Sequence, residues 1–285
     1  MTGQQALAAA AQRLRAAGVE DGLRDARVLL AFALDLPADR LTLHLADAVP
    51  AAASARLDAA VEARTRRQPV AQITGQRLFW GRSFRVTQDV LDPRPETETL
   101  VATALEQPFV KMLDLGTGSG CILLSCLADR PLAHGTGVDL SAPALAVARD
   151  TARRLGLTDR CTLLQSDWCA SVQGRFDLIT ANPPYIAASE MAALAPEVRL
   201  WEPAMALTPG GDGLDAYRII ARQAPWHLRP GGRLLVEIGP TQAAAVAALF
   251  AAAGLTGIEV RHDLDGRDRV VLARKPATTG TSDQF

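Results

Sequence analysis

Residues 110–124 read VKMLDLGTGSGCILL, a short apolar run that passes through Asp114 into Gly116-Thr117-Gly118-Ser119-Gly120 and straight on into a second apolar run. Apolar strand, glycine turn and helix in this order describe the first βα step of a sheet that binds a ligand at its carboxyl edge. The glycines let the backbone turn sharply and let a ligand approach where a Cβ would stand in the way. Their spacing is G-x-G-x-G, which differs from the G-x-G-x-x-G that seats a dinucleotide pyrophosphate on a helix N-terminus.

Working outward, strand-like and helix-like segments alternate to the end of the chain: TGVDL then ALAVARDTARRLG, CTLLQSD, FDLITANPPY, a helix near DAYRIIARQA, RLLVEIG, then AAAVAALFAAAG. That alternation predicts a parallel sheet covered on both faces. GIEVRHD and RVVLARK have no helix between them, so, joined across DLDGRD, they are expected as an antiparallel hairpin ending the sheet. Upstream, apolar residues recur at helical spacing in ALAAAAQRLRAAG, DARVLLAFALDL and ARLDAAVEARTRR, with Pro37 and Pro50 between them. The expected division is a helical bundle over 1–68, a β-hairpin linker over 69–95 around a Gly-Arg-Ser turn in RLFWGRSFRV, an α/β domain over 96–276, and a disordered tail over 277–285.

At 285 residues, with 48% hydrophobic and 21% charged, the chain has ordinary globular composition. Basic and acidic residues number 30 and 31, so no global basic field favours nucleic acid. Cys121, Cys126, Cys161 and Cys169 form no CxxC pair and have no histidine at metal spacing; reduced thiols in a cytoplasmic protein, without a metal, are expected. The N-terminal helix is interrupted by Arg13 and Arg15, unlike a signal peptide, and no run approaches the ~20 apolar residues of a membrane span.

The second strand ends in Asp139, about twenty residues beyond the glycine loop, where a carboxylate can accept from both hydroxyls of a ribose. A ribose without a diphosphate, and a cationic group for Asp114, fit S-adenosylmethionine. Asp167 and Trp168, after the third strand, suit the adenine amino group and ring face. The simpler reading makes these residues a tight turn, helix caps and packing.

The fourth strand leaves the core through Asn182-Pro183-Pro184-Tyr185. Prolines fix φ and offer no N–H, so the segment is a stiff, extended loop. With a methyl donor present, it answers a chemical problem. The nitrogen of an amide or of a base amino group is a poor nucleophile because its lone pair is conjugated, and the ~18–20 kcal/mol barrier to amide rotation sets the scale. The Asn182 oxygen and the Pro183 carbonyl can take the two N–H hydrogens and aim the developing lone pair, while Tyr185 stacks on the planar group.

Taken together with DARVLL, RRQPVAQITGQRLFWGRSFRV, VLDPRPETETL, DLGTGSG, VDLSAPALAVA, SDW, FDLITANPPYI, PEVRLWEPAMALTPGGDGLDAYR, RPGGRLLVEIGPTQ and DLDGRDRVV, the sequence resembles the HemK/PrmC family of peptide chain release factor glutamine methyltransferases from about residue 25 to 275. The resemblance implies the seven-stranded, Rossmann-like methyltransferase sheet. It also implies methyl transfer from S-adenosylmethionine to the side-chain nitrogen of the glutamine in the Gly-Gly-Gln loop of class I release factors, and so a role in translation termination. Asp114, Gly116, Thr117, Gly118, Gly120, Asp139, Asp167, Trp168 and Asn182 are the implied donor-binding residues. Asn182, Pro183, Pro184 and Tyr185 are the implied substrate-binding ones, and Asn182, Pro183 and Tyr185 carry the catalysis. A monomeric, cytoplasmic enzyme that grips its protein substrate partly through the helical domain, without direct nucleic-acid contact, is expected. The chain departs from the family at Thr151, where Asn is common, and at Gln72, where Tyr is common. VLDPRPETE, with Arg94, Glu96 and Glu98, is expected to line the substrate entrance or to serve as a proline-stiffened linker with a helix-capping ETE. Base-amino methyltransferases face the same chemistry, and a non-catalytic S-adenosylmethionine-binding scaffold would share the loop.

Overall fold

The computed structural model describes residues 1–277; the expected tail therefore lies, apart from Ala277, outside the described residues. The chain forms two compact units, Met1–Gln76 with Leu194–Trp201, and Arg77–Ala193 with the chain from Glu202 onward. Among the described residues no helix is long and apolar enough to cross a membrane.

The first unit is helical: α1 (Gly3–Ala16), α2 (Gly22–Ala33), α3 (Ala51–Thr65) and the short α4 (Val70–Thr74). Thr2 starts α1 with a capping box: its hydroxyl accepts from the Gln5 N–H while its own N–H donates to the Gln5 side chain. Ala6, Leu7, Ala10, Ala11 and Leu14 form one buried stripe along α1 and pack with Leu29, Leu30 and Val61. The helix Pro196–Trp201 belongs to this unit. Its Glu197 accepts from both Arg64 and Arg67 at 3.1 Å, and Arg64, 8% exposed, also holds Asp25 at 2.6 Å. Trp201 donates its indole N–H to the Arg66 carbonyl and accepts the Gln72 amide on its own carbonyl.

In the second unit, β1 (Gln76–Phe79, its first residue still in the helical unit) pairs with β2 (Arg82–Arg85). The turn falls on Trp80-Gly81, one position before the expected Gly-Arg-Ser. Both residues have positive φ, 48° and 69°, as a two-residue type I′ hairpin requires. Trp80 is the costly residue there, and its side chain compensates: its indole N–H donates to Asp129 at 2.7 Å. The elements that follow are α5 (Glu98–Leu105), β3 (Lys111–Leu115), α6 (Cys121–Asp129), β4 (His134–Asp139), α7 (Ala142–Arg154), β5 (Cys161–Gln165) and β6 (Phe176–Ala181). After α8 (Pro196–Trp201, in the helical unit) come α9 (Ala204–Leu207), α10 (Asp215–His227), β7 (Leu228–Glu237), α11 (Ala243–Ala252), β8 (Thr256–His262) and β9 (Asp268–Arg274).

The sheet has seven strands in the order β5-β4-β3-β6-β7-β9-β8. The first five are parallel; β9 runs antiparallel to β7, and β8 pairs antiparallel with β9 at the edge, the terminal hairpin expected from the sequence. Because both faces are covered, the central strands bury apolar side chains on both sides rather than alternating. Leu113, Ile179, Leu234 and Val236 face Tyr217 and Ile220 of α10 and Val246 and Phe250 of α11. Met112, Leu178 and Leu235 face Leu100 and Val101 of α5 and Leu123 and Leu127 of α6. Thr151, fully buried on α7, accepts the Arg85 N–H of β2 at 3.3 Å, so its short hydroxyl joins helix to hairpin. The chain runs outward from β3 to β5 and then returns to the other side of β3 as β6. That reversal opens a crevice between the carboxyl ends of β3 and β6.

Candidate active site

A cavity of about 360 Å³ occupies that crevice. Of the residues singled out from sequence, Gly116, Thr117, Gly118, Asp139, Asp167, Trp168, Asn182 and Pro184 line it. Asp114, Gly120, Pro183 and Tyr185 are not among its lining residues.

The loop after β3 owes its shape to two side chains. Gly116 and Gly118 have φ of 67° and 54°, and a Cβ added to either would meet nothing within 4 Å, so the loop presents bare backbone to open space. Beneath it Asp114 is wholly buried, its two oxygens taken by the hydroxyls of Thr117 and Thr180 at 2.7 Å. Burial pushes its carboxyl up to about 6, with the two hydroxyls pulling the other way. Asp114, expected from sequence to lie near a donor's cationic group, is held below the loop.

Asp139 ends β4. One of its oxygens accepts from the Gly118 N–H at 2.8 Å and the other from the Ser141 N–H at 2.9 Å. Each retains a lone pair for a hydroxyl on the cavity side. Burial raises its pKa while the backbone N–H groups of Ser141 and Gly118 oppose that. Trp168 stands at φ 49°, an uncommon conformation for a large side chain, held by the Ser166 hydroxyl on its carbonyl at 2.8 Å.

The loop after β6 is braced from below. The Gln242 amide donates to the Tyr185 carbonyl at 2.9 Å and its oxygen accepts from Gly239 N–H at 3.0 Å. A Cβ on Gly213 would lie 2.4 Å from that same carbonyl, so the facing turn must be glycine. Tyr185 packs its ring against the core beside Gly239, and burial, with Glu237 nearby, pushes its hydroxyl up to about 12. Asn182 donates its amide to the Thr97 hydroxyl at 3.2 Å.

Several site residues escaped the sequence reading. Thr97 lines the cavity from the residue before α5, and Pro203, Met205 and Ile219 supply apolar wall. Arg94, which the sequence reading did single out, is also on the wall and is held by the buried Glu202 at 2.6 Å. PRPET, WEPAM and DAYRII carry these residues but no spacing rule links them, because they meet only through the fold. The four cysteines are unpaired, and burial pushes Cys121 and Cys161 up to about 12, so they are poor nucleophiles.

A glycine cradle, a ribose-ready carboxylate and an oriented amide on one crevice suit group transfer from a nucleoside-bearing donor. The family model "PrmC N-terminal domain" matches residues 5–75 and "Methyltransferase small domain" matches 88–214. A release factor glutamine methyltransferase of Cereibacter sphaeroides is 63% identical over 277 residues, covering 97% of this chain and 100% of that one. Another from Rhodospirillum rubrum is 47% identical over 94% of this chain and 83% of its own length. Among solved structures, a methyltransferase from Pyrococcus furiosus aligns with a TM-score of 0.51 at 16% identity, over 68% of this chain and 88% of that one, and carries the same fold. The chain belongs to the release factor glutamine methyltransferase family.

Proposed function

We propose that this protein transfers the methyl group of S-adenosylmethionine to the side-chain nitrogen of the glutamine in the Gly-Gly-Gln loop of class I peptide chain release factors, acting in the cytoplasm as a monomer. The observation that carries this is the Asn182 amide, tethered by Thr97 on the wall of the cavity that also holds the glycine loop and Asp139.

The bare backbone at Gly116 and Gly118 and the free lone pairs of Asp139 fit a ribosyl ligand, with Asp167 and Trp168 on the adenine side. When bound, S-adenosylmethionine supplies an electrophilic methyl on a sulfonium sulfur that leaves with the bonding pair. Asp114, under the loop, favours positive charge above it. The Asn182 oxygen and the Pro183 carbonyl accept the two N–H hydrogens of the glutamine amide and align its nitrogen for attack. Once the N–C bond forms, the nitrogen is acidic and its proton passes to water, so no strong base is needed. Tyr185 and Pro184 stiffen the loop and exclude water. The helical unit is the proposed docking element for the release factor.

The test is methyl incorporation from labelled S-adenosylmethionine into a purified class I release factor, beside its Gly-Gly-Gln to Gly-Gly-Ala variant and a panel of DNA and RNA. Label on the intact factor alone supports the proposal; label on nucleic acid, or on the Ala variant, overturns it.

A further inference from the structure

Glu237 is a buried acid in an apolar strand. Its neighbours Leu234, Leu235, Val236 and Ile238 are wholly buried and apolar, and it is itself 1% exposed. A carboxylate there is costly, and a well-packed apolar residue would be the more stable choice. The nearest cation does not explain it, because the Arg269 guanidinium is engaged by Asp263 at 3.0 and 3.2 Å.

Its surroundings do. β6 and β7 run parallel with Ala181 opposite Val236, so the next residues, Asn182 and Glu237, emerge side by side at the carboxyl edge. The Thr97 hydroxyl and the Asn182 amide both act on the Glu237 carboxylate, pulling its pKa down against the burial that raises it, while its Oε2 has no partner. Asn182 Nδ2 also donates to Thr97 Oγ1 at 3.2 Å. Above about pH 7, where Glu237 is ionised, its carboxylate can only accept. Thr97 accepts from Asn182, which leaves its one hydrogen free for the carboxylate beside it. Two acceptors on one side of an amide whose ends exchange by a half-turn leave one orientation. The NH2 end points inward and the oxygen is left for the cavity. The reverse orientation would set an oxygen against a carboxylate and present donors to a substrate nitrogen that itself bears hydrogens.

We infer that Glu237, with Thr97 as relay, is a positioning residue that fixes the Asn182 amide with its oxygen towards the substrate nitrogen. The inference rests on the glutamine-methylating reading above and assigns that site its orienting group.

The experiment compares wild type with Glu237→Ala, Glu237→Gln and Thr97→Val, each alone and combined with Asn182→Ala. Methyl-transfer kinetics on the release factor, S-adenosylhomocysteine affinity and thermal midpoint are measured for each. Glu237→Ala is expected to lower kcat by about 10- to 100-fold with donor affinity within about threefold. Glu237→Gln should recover part of that, because its oxygen accepts while its NH2 replaces the unpartnered Oε2. In the Asn182→Ala background neither change should lower kcat further by more than about twofold. An undiminished loss in that background, or donor affinity falling as far as kcat, overturns the inference. Should the alanine variant fail to fold, the near-isosteric Gln and Val variants carry the same comparison. Hydrogen exchange of the Asn182 side-chain NH2, followed by NMR, needs no substrate: slow in wild type and faster in Glu237→Ala supports the inference, and equal rates overturn it. A wild type inactive on release factors would therefore sink the substrate reading while exchange still decides the positioning role.

Discussion

The Asp139 carboxylate accepts the Gly118 backbone N–H at 2.8 Å, tying the end of β4 to the loop that follows β3. A residue expected from sequence to hold a ribose therefore also shapes the surface beside it. Asp139→Ala should weaken S-adenosylhomocysteine binding by tenfold or more, about 1.4 kcal/mol or above, with kcat at saturating donor little changed. Calorimetric titration decides; unchanged affinity contradicts both roles.

Asn182→Ala removes an acceptor used most as the nitrogen becomes pyramidal. It should lower kcat by about 100-fold or more while leaving donor affinity within about threefold. Equal losses in both would mean that Asn182 serves mainly the donor.

Gly118→Ala places a methyl group in the open cradle at φ 54°. Backbone strain of roughly 1–2 kcal/mol should appear as lost stability, together with weakened donor binding. Gly156→Ala is the control: its φ of 68° is similarly strained and nothing lies within 4 Å, but it is not a cavity residue. It should lose stability alone, as thermal melts with and without S-adenosylhomocysteine would reveal.

Stability should fall as pH rises from about 4 to about 7. Burial lifts Glu237 from 4.5 to about 7, against the Thr97 and Asn182 hydrogen bonds and the Arg269 charge and with Glu96 adding to the rise; Asp114 goes from 3.8 to about 6. Between the unfolded and folded values the native state binds protons that the unfolded chain has released, so unfolding becomes easier with each step up in pH. The stabilisation is fully present below the unfolded values and gone above the folded ones. Urea titrations at several pH values should show this slope, and Glu237→Gln and Asp114→Asn should each flatten it. A slope of opposite sign in wild type would contradict these shifts. Asp212, lowered to about 2 by Arg218, acts in the opposite sense only in strong acid.

Much of the architecture was legible because its signals are local. Period and punctuation gave the alternating strands and helices, and the lack of a helix between GIEVRHD and RVVLARK gave the terminal hairpin. The helix Glu98–Leu105 begins at the ETE that one reading of VLDPRPETE takes as a helix cap, although Thr97 makes no side-chain capping bond. The site divides similarly. Gly116, Gly118, Asp139 and Asn182 sit at fixed offsets from strand ends, so sequence places them. Thr97 and Glu237 are brought to Asn182 from 85 and 55 residues away, and the pairing of strands that does so has no local mark. The Trp80-Gly81 turn was misplaced by one residue because a tryptophan at positive φ is recognisable only once its indole is seen to be anchored on Asp129.

The helical unit is discontinuous in the chain: Glu197 and Trp201, which hold Arg64, Arg67, Arg66 and Gln72, arrive more than a hundred residues after the rest of it. A fragment ending at residue 76 would leave the nearly buried Arg64 with Asp25 and the Gln68 carbonyl but without Glu197. Exchange of N-terminal regions between relatives must therefore carry residues 194–201 along with them. Inheritance of the two units is coupled by that short segment, and a change in one surface of the helical unit can be answered by a substitution encoded in the middle of the catalytic half.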